Sequence, residues 1–218
     1  MATAIVFTPG CTLRCGYCHN PELLSINPQL ISTDDVIEKI RQLSWSLDGV
    51  VITGGEPTIQ DGLVEFCETL HSLGLKVKLD TNGTMPDVLR RVIPHVDYVA
   101  MDVKAPLDEG HVSMVTATFG VANSMRRSMK LIIDSGVDHE FRTTWDPNLT
   151  EKDVLEIATI IPTTWVLQEF RPIKCLNDAY MSYHTTDYNK LKDTAKVAAG
   201  PAHILIRSEH HGEESIKG

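Results

Sequence analysis

Three of the chain's five cysteines lie close together near the N-terminus, at Cys11, Cys15 and Cys18. Gly10 and Gly16 give this short loop the backbone freedom to turn its thiols toward one centre. An odd number of cysteines argues against a disulfide framework, so we interpret the spacing as a metal site.

Two kinds of metal centre fit this spacing. A structural zinc ion normally takes four ligands, and His19 is the candidate for the fourth. A 4Fe–4S cluster held by only three cysteines leaves one iron open to a substrate or cofactor. Spacing alone leaves both centres open.

Reduced thiols of this kind indicate an intracellular, cytoplasmic protein. Cys67 is interpreted as a core thiol and Cys175 as an incidental one.

Further polar groups follow the C-terminal ends of predicted strands. In parallel α/β folds this edge is where ligands bind, so we expect these groups to converge with the cysteine loop on one rim. The four motifs are Gly54-Gly55-Glu56, Asp80-Thr81-Asn82, Asp102-Val103-Lys104 and Arg142-Thr143-Thr144.

Apolar strand-like runs alternate with helical patterns, which predicts a βα-repeating fold with a parallel sheet. Six such units fit the 218 residues, whereas a complete eight-unit barrel usually takes about 250. Residues 1–207 are predicted to form a single domain, followed by a polar tail over 208–218. Strands are predicted at 4–7, 49–53, 75–80, 98–103, 139–144 and 165–170, with a further short run at 203–206. Helices are predicted from about 33, 61 and 86, and over 121–135, 151–161 and 187–199, the last ended by Gly200-Pro201.

The composition narrows the class of partner. Hydrophobic residues make up 42% of the chain and charged residues 22%. No apolar run approaches the roughly 18 residues of a membrane helix, and no secretory signal is recognisable, so a membrane partner is not expected. With 20 Lys and Arg against 29 Asp and Glu, the formal net charge of −9 disfavours nucleic acid.

The segment from Cys11 to Cys18 resembles the CxxxCxΦC motif of the radical S-adenosylmethionine (SAM) enzymes, with Tyr17 at the aromatic position. Its continuation, His19-Asn20-Pro21-Glu22, is similar to the activating proteins of glycyl-radical enzymes. The Phe7-Thr-Pro-Gly-Cys stretch most resembles those that activate anaerobic ribonucleoside-triphosphate reductase. The similarity extends through the strand-end motifs as far as Pro172.

This resemblance implies an α/β fold with a parallel sheet, an incomplete TIM-like (β/α)6 barrel with the radical SAM core. It assigns Cys11, Cys15 and Cys18 to three irons of a 4Fe–4S cluster, with the fourth iron chelated by SAM. In the family, an electron from the reduced cluster cleaves SAM, and the 5′-deoxyadenosyl radical then abstracts a hydrogen atom. No catalytic residue beyond the cluster ligands is implied.

The resemblance also implies a SAM site on the rim. Structural alternatives accompany it: a strand-to-helix turn at the glycine pair, an Asx turn at Asn82, a solvated Lys104, and local salt bridges at Arg142. The SAM-binding residues implied are Tyr17, Gly54, Gly55, Glu56, Asn82, Lys104, Arg142 and Thr143.

A candidate monovalent-cation site is formed by Asp80, Thr81 and Asp102, as in some pyruvate formate-lyase activating enzymes. In the alternative, the two carboxylates pair with Lys104 and Arg142.

The expected partner is a glycyl-radical enzyme, anaerobic ribonucleotide reductase, with reduced flavodoxin or ferredoxin as the electron donor. Two alternatives stay open: a radical SAM enzyme acting on another glycyl-radical enzyme, of the pyruvate formate-lyase type, or on a small molecule; and a zinc-stabilised, non-catalytic binding module. Family members usually carry a lead-in segment before the first strand, and we expect it to be missing here because Met1 is three residues from Ala4.

Overall fold

A computed structural model of the chain describes residues 2–24, 30–198 and 202–216. One sheet contains eight strands in chain order. The strands are β1 (Thr3–Thr8), β2 (Gly49–Gly54), β3 (Lys76–Thr81), β4 (Tyr98–Asp102), β5 (Asp138–Thr144), β6 (Thr164–Gln168), β7 (His203–Ser208) and β8 (Gly212–Ile216). The helices are α1 (Thr33–Leu43), α2 (Leu63–Ser72), α3 (Pro86–Val92), α4 (Glu109–Thr116), α5 (Ala122–Ser135), α6 (Glu151–Ile160) and α7 (Tyr188–Val197).

The sheet is an open barrel. Strands β1 to β7 pair in parallel with their neighbours, and β8 pairs antiparallel with β7. In the described part of the chain β1 and β8 do not pair with each other, so these two strands are the free edges. The predicted incomplete barrel is confirmed. Its six predicted strands are present, and the short run at 203–206 adds β7 as a seventh parallel strand.

Side chains alternate between the two faces of the sheet. One face packs on the helices and forms the core, with Val50, Val77 and Val99 almost fully buried. The other face lines the inside of the open barrel, where β3 contributes Lys78 and Asp80. Parallel pairing brings the C-terminal ends of all seven strands to one rim, which is where the sequence analysis expects the site.

Two elements differ from the sequence predictions. Helix α4 lies between the predicted strand at 98–103 and the predicted helix at 121–135, where the sequence predicts no helix. Its N-cap is Asp108, whose Oδ1 accepts from the amides of Gly110 (2.9 Å) and His111 (3.1 Å). The predicted polar tail over 208–218 also contains a strand, β8, because Gly212 allows a tight turn at φ +70° and Ile216 is buried. The predicted boundary at 207 therefore falls within the β7–β8 hairpin.

The predicted helix stop at Gly200-Pro201 lies outside the described residues. Within the described ranges, no helix combines the length and the apolar character that a membrane crossing requires.

The different burial of Phe141 and Phe119 predicts different losses of stability when each is replaced by alanine. Phe141 on β5 is fully buried, so Phe141→Ala leaves a cavity and is expected to lower the free energy of unfolding by about 3–5 kcal/mol. Phe119 is 80% exposed, so Phe119→Ala is expected to change it by less than about 0.5 kcal/mol. Anaerobic urea denaturation of the metal-free protein measures both. Equal losses in the two variants would contradict the assignment of the core.

Candidate active site

The cysteine loop leaves β1 and crosses directly over the end of β2. Gly55 N donates to Thr8 O at 2.9 Å, and Glu56 N donates to Gly10 O at 2.8 Å. A Cβ on Gly55 would lie 1.8 Å from Gly10 O, and Gly54 has φ +121°. Gly54 and Gly55 are therefore required because the backbone of the cysteine loop passes so close to them.

Two other segments hold the loop from its far side. Arg14 N donates to Thr116 O at the end of α4 (2.9 Å), and Asn177 N donates to Gly16 O (3.0 Å). The ring of Tyr180 occupies the space beside Gly16, where a Cβ would meet Cε2 at 2.3 Å. The loop is thus fixed between the strand ends, α4 and the segment that follows β6.

The three thiols share one pocket. Cys11, Cys15 and Cys18 line a cavity of about 560 Å³ at the C-terminal rim of the sheet. Burial raises the pKa of Cys15 to about 12, despite the lowering effect of Lys104, and burial also raises the pKa of Cys11. A metal ion bound by these thiols would therefore have to displace their protons.

The surroundings of Cys11 suit a metal-bound sulfur. The Leu13 backbone N–H points at its Sγ (3.4 Å), as does the Asn82 side-chain amide (3.7 Å). Hydrogen bonds to sulfur are one of the protein's means of tuning a cluster. Among the described residues, no three His, Cys, Asp or Glu side chains are already gathered as a metal-ligand set. The three cysteines nevertheless share the pocket.

The structure brings almost all the predicted rim residues to this pocket. Thr143 is the exception: it is fully buried, its hydroxyl donates to Val103 O (2.8 Å), and it accepts from the indole N–H of Trp165 (3.0 Å). Because side chains alternate along β5, Arg142 and Thr144 face the pocket instead, which corrects the prediction for Thr143. The predicted residues that line the pocket are Cys11, Cys15, Tyr17, Cys18, Gly54, Gly55, Glu56, Asp80, Thr81, Asn82, Asp102, Lys104 and Arg142.

The Glu56 carboxylate is used inside the protein. Its Oε1 accepts from the Thr58 amide (3.1 Å) and hydroxyl (2.5 Å) and from the Thr81 hydroxyl (2.7 Å), and its Oε2 accepts from Asn82 N (2.7 Å). Glu56 is fully buried, and burial raises its pKa against the lowering effect of these donors. Its side chain therefore joins the ends of β2 and β3. Its part in SAM binding stays a prediction.

Asn82 forms the Asx turn that the sequence analysis offers as the alternative to SAM binding. Its Oδ1 accepts from the amide (3.0 Å) and the hydroxyl (2.7 Å) of Thr84. Its Nδ2 donates to Thr12 Oγ1 (3.0 Å) in addition to pointing at Cys11. Asn82 thus connects the end of β3 to the cysteine loop.

Four charged side chains form a network across the ends of β3, β4 and β5. Asp102 pairs with Lys104 (2.9 Å) and with Arg142 (2.9 Å), and Arg142 also reaches Asp80 (3.2 Å). Burial acts to lower the pKa of Lys104, but Asp102 outweighs it and holds that pKa well above its usual value. Conversely, burial acts to raise the pKa of Asp102, while Arg142 and Lys104 bring it down to about 2. Lys104 and Asp102 are therefore both charged at neutral pH.

This network contains two of the three residues of the predicted cation site. The oxygens of Asp80 and Asp102 face Arg142 and Lys104, and the Thr81 hydroxyl donates to Glu56. Each carboxylate thus pairs with an internal cation, as in the alternative given above, but Asp80 Oδ1 is buried without a hydrogen-bond partner among the described residues. The cation site stays a prediction.

One wall of the pocket was missed by the sequence analysis. Arg207, Ser208 and Glu209 of the β7–β8 hairpin line it. Glu209 pairs with Arg171, and its backbone N–H donates to Glu169 Oε1 (2.6 Å). The short apolar run at 203–206, followed by Gly212, is the sequence signal that could have indicated this hairpin.

The other cysteines and His19 are accounted for in the structure. Cys67 is fully buried in α2, which confirms a core thiol. Cys175 is buried too, in the segment that contacts the cysteine loop. His19 lines the pocket, with Nε2 3.1 Å from Arg171 O.

Comparisons with known proteins agree with this geometry. Residues 5–161 match the family described as the radical SAM superfamily. A Methanocaldococcus jannaschii protein named as a glycyl-radical enzyme activating enzyme is 30% identical over 205 residues, covering 90% of this chain and 85% of that protein. The pyruvate formate-lyase-activating enzyme of Clostridium pasteurianum is 25% identical over 194 residues, covering 85% and 77%.

A solved structure shows the same fold. Streptococcus suis SuiB bound to S-adenosylmethionine has a TM-score of 0.74 at 13% identity over 96% of this chain. The chain spans about half (51%) of the SuiB chain. At this identity the match shows the fold alone.

The crossing of the cysteine loop predicts that Gly55→Ala impairs cluster binding. The new Cβ would lie 1.8 Å from Gly10 O, so we expect a loss of about 1–3 kcal/mol in stability and a displaced loop. After anaerobic reconstitution, iron and sulfide per chain should fall well below wild type. Gly110→Ala is the control, since only the end of the Asp108 side chain lies near its Cβ, at 3.2 Å. Full iron content in Gly55→Ala would contradict the account of the loop.

The charge network predicts an acid-dependent contribution from Asp102. Asp102→Asn leaves Lys104 and Arg142 without their shared partner. Because 29% of the Asp102 side chain is exposed, we expect the free energy of unfolding at neutral pH to fall by somewhat less than the roughly 3–5 kcal/mol lost when a fully buried pair is broken. Because the pKa of Asp102 falls from 3.8 to about 2 on folding, this contribution is present above about pH 4 and is lost toward pH 2.

Unfolding free energies of wild type and Asp102→Asn, measured down the pH scale, test this dependence. Asp134→Asn removes an exposed pair with Lys130 and serves as the control, with an expected loss below about 1 kcal/mol. A difference between wild type and Asp102→Asn that persists unchanged to pH 2 would show that Asp102 has an ordinary pKa.

Proposed function

The chain belongs to the radical SAM superfamily and to its glycyl-radical-enzyme activating proteins, and from that premise we propose that its target is anaerobic ribonucleoside-triphosphate reductase. The observation that carries the radical SAM activity behind this proposal is the pocket itself. Three thiols, a buried lysine and a glycine-lined strand end face one cavity at the open rim of the barrel. The sequence stretches from Phe7 to Cys11 and from His19 to Glu22 support this partner through their resemblance to its activating proteins.

The residues present fit both cofactors. Cys11, Cys15 and Cys18 would hold a 4Fe–4S cluster, which when bound supplies the electron for reductive cleavage of SAM and so the radical that abstracts hydrogen from a glycine. Lys104, charged and partly covered by the Tyr17 ring (Nζ to centroid 5.6 Å), is placed to attract SAM's carboxylate.

Other groups of the chain shape the SAM site. The backbone at Gly54 and Gly55 has no side chain to block approach, and its carbonyls are available to SAM's ammonium. Arg142 lines the pocket next to Lys104 but remains paired with Asp80 and Asp102. Buried side chains beneath the pocket, such as Leu13, exclude water from the reacting groups.

We propose reduced flavodoxin or ferredoxin as the electron donor and the cytoplasm as the location. The five cysteines are all free, which suits a reducing compartment.

A second candidate target is pyruvate formate-lyase. It is favoured by the similarity to the activating enzyme of Clostridium pasteurianum. The two candidates share the chemistry of the pocket and differ only in the glycyl-radical enzyme that docks against it.

Mixing the reduced, reconstituted protein with SAM and each candidate enzyme separates the two targets. We expect the doublet of a glycyl radical in the EPR spectrum with anaerobic ribonucleotide reductase. A doublet formed only with pyruvate formate-lyase would reassign the target, and the absence of SAM cleavage would reject the activity. One zinc and no iron per chain after anaerobic preparation would favour the zinc-stabilised binding module.

Substitution of the cysteines tests the assignment of the cluster. Cys11→Ser, Cys15→Ser and Cys18→Ser are each expected to lower the rate of 5′-deoxyadenosine release by at least about a thousandfold, because a missing ligand leaves no stable cluster. Cys67→Ala, in the core of α2, is the matched control and should retain wild-type iron content and activity. Comparable loss in Cys67→Ala, or activity retained in the three serine variants, would contradict the assignment.

A further inference from the structure

The first strand of the sheet is an unprotected edge. Its sequence, Thr-Ala-Ile-Val-Phe-Thr, contains no charged residue and no proline. Ile5 is 57% exposed and Phe7 is 54% exposed, although both lie in a regular strand. Among the described residues β1 pairs with β2 on one side, and no strand pairs with its other side.

The exposed side chains lie on the pocket side of the sheet. Ile5 is in register with Val51, and Phe7 with Thr53, so each pair shares a face. Thr53 lines the pocket, whereas Ala4 and Val6, on the opposite face, pack against the core. Ile5 and Phe7 therefore form an apolar strip on the inner face that leads to the pocket.

The other free edge of the sheet is protected differently. Strand β8 carries Glu213 and Glu214, which pair with Arg207 (2.7 Å) and Lys192 (2.6 Å). Charged side chains on an edge strand oppose the addition of another strand, whereas an uncharged apolar edge favours it. Of the two edges, β1 is the one suited to accept a strand.

The position of this edge indicates what would occupy it. β1 continues through Thr8, Pro9 and Gly10 directly into Cys11, so a chain laid along β1 is led toward the three thiols. The proposed reaction requires a polypeptide segment to bring a glycine to that pocket. An edge that joins the pocket is suited to that segment.

We propose that β1 is the docking edge for the glycyl-radical partner: an extended segment of the partner adds to the sheet beside β1 and rests apolar side chains on Ile5 and Phe7. The inference rests on the proposed activation of a glycyl-radical enzyme and adds how that enzyme is held. Backbone hydrogen bonds to the free edge supply affinity, and the apolar strip selects the side chains. The six residues of β1 offer a contact about 20 Å long.

The double variant Ile5→Lys/Phe7→Lys tests the docking edge. Both side chains are more than half exposed, so the fold and the cluster should be retained. We expect reductive SAM cleavage without partner to be unchanged, while KM for the partner enzyme in glycyl-radical formation rises at least about tenfold. Trp45→Lys is the control, since Trp45 is 85% exposed but lies at the opposite, N-terminal end of β2.

Hydrogen exchange of the wild-type holoprotein gives an independent measurement. Adding the partner should slow exchange of the amides of residues 3–8 but not of those in β8. The proposal is overturned if the wild type forms the glycyl radical while residues 3–8 gain no protection and the double variant keeps the wild-type KM. It is also overturned if β1 pairs with a second copy of the chain, seen as a dimer that the double variant dissociates. Failure of the wild type to form a glycyl radical on any partner would instead reject the proposed function.

Discussion

The close crossing of two backbone segments fixes the position of the chemical groups in this protein. Residues 8–10 pass over Gly54 and Gly55 so closely that a single Cβ on Gly55 would reach Gly10 O. The two backbone hydrogen bonds at the crossing, together with the buried Glu56 carboxylate, tie the cysteine loop to the ends of β2 and β3. The thiols consequently lie over the rim where every parallel strand of the sheet ends.

The same rim carries a balanced set of buried charges. Asp80 and Asp102 keep Arg142 and Lys104 ionised in a setting where an unpaired charge would be lost. Because these pairs are largely shielded from solvent, their fields act on the pocket with little screening. A positively charged lysine beside the thiols suits a site that binds a carboxylate-bearing cofactor next to a cluster. The positive charge at the pocket thus depends on the two carboxylates that pair with these cations.

Much of this arrangement could be predicted from the sequence, because its signals are local. The cysteine spacing and the strand-end motifs each depend on a few neighbouring residues, and the structure brings them to one rim as expected. The sequence could not provide the direction in which each of these side chains points. Both Glu56 and Thr143 lie in the predicted motifs. Strand alternation turns the Thr143 side chain into the core, and the Glu56 carboxylate joins the ends of β2 and β3.

The elements that were missed depend on long-range contacts. Helix α4 has a weak apolar pattern. It contacts the cysteine loop through Thr116 O, which accepts a hydrogen bond from Arg14 N. Strand β8 is polar, and it is held by Tyr188 and Lys192 of α7, far away in sequence. Neither contact leaves a recognisable signal in the segment itself.

The central claim is that the three cysteines bind a cluster whose open iron takes SAM. Electron–nuclear double resonance of the reduced, reconstituted protein with SAM labelled with ¹⁵N in its amino group tests this directly. The account predicts a ¹⁵N coupling to the cluster in wild type and in Cys67→Ala. A cluster signal that labelled SAM leaves unchanged, or a protein that holds zinc instead of iron, would contradict it.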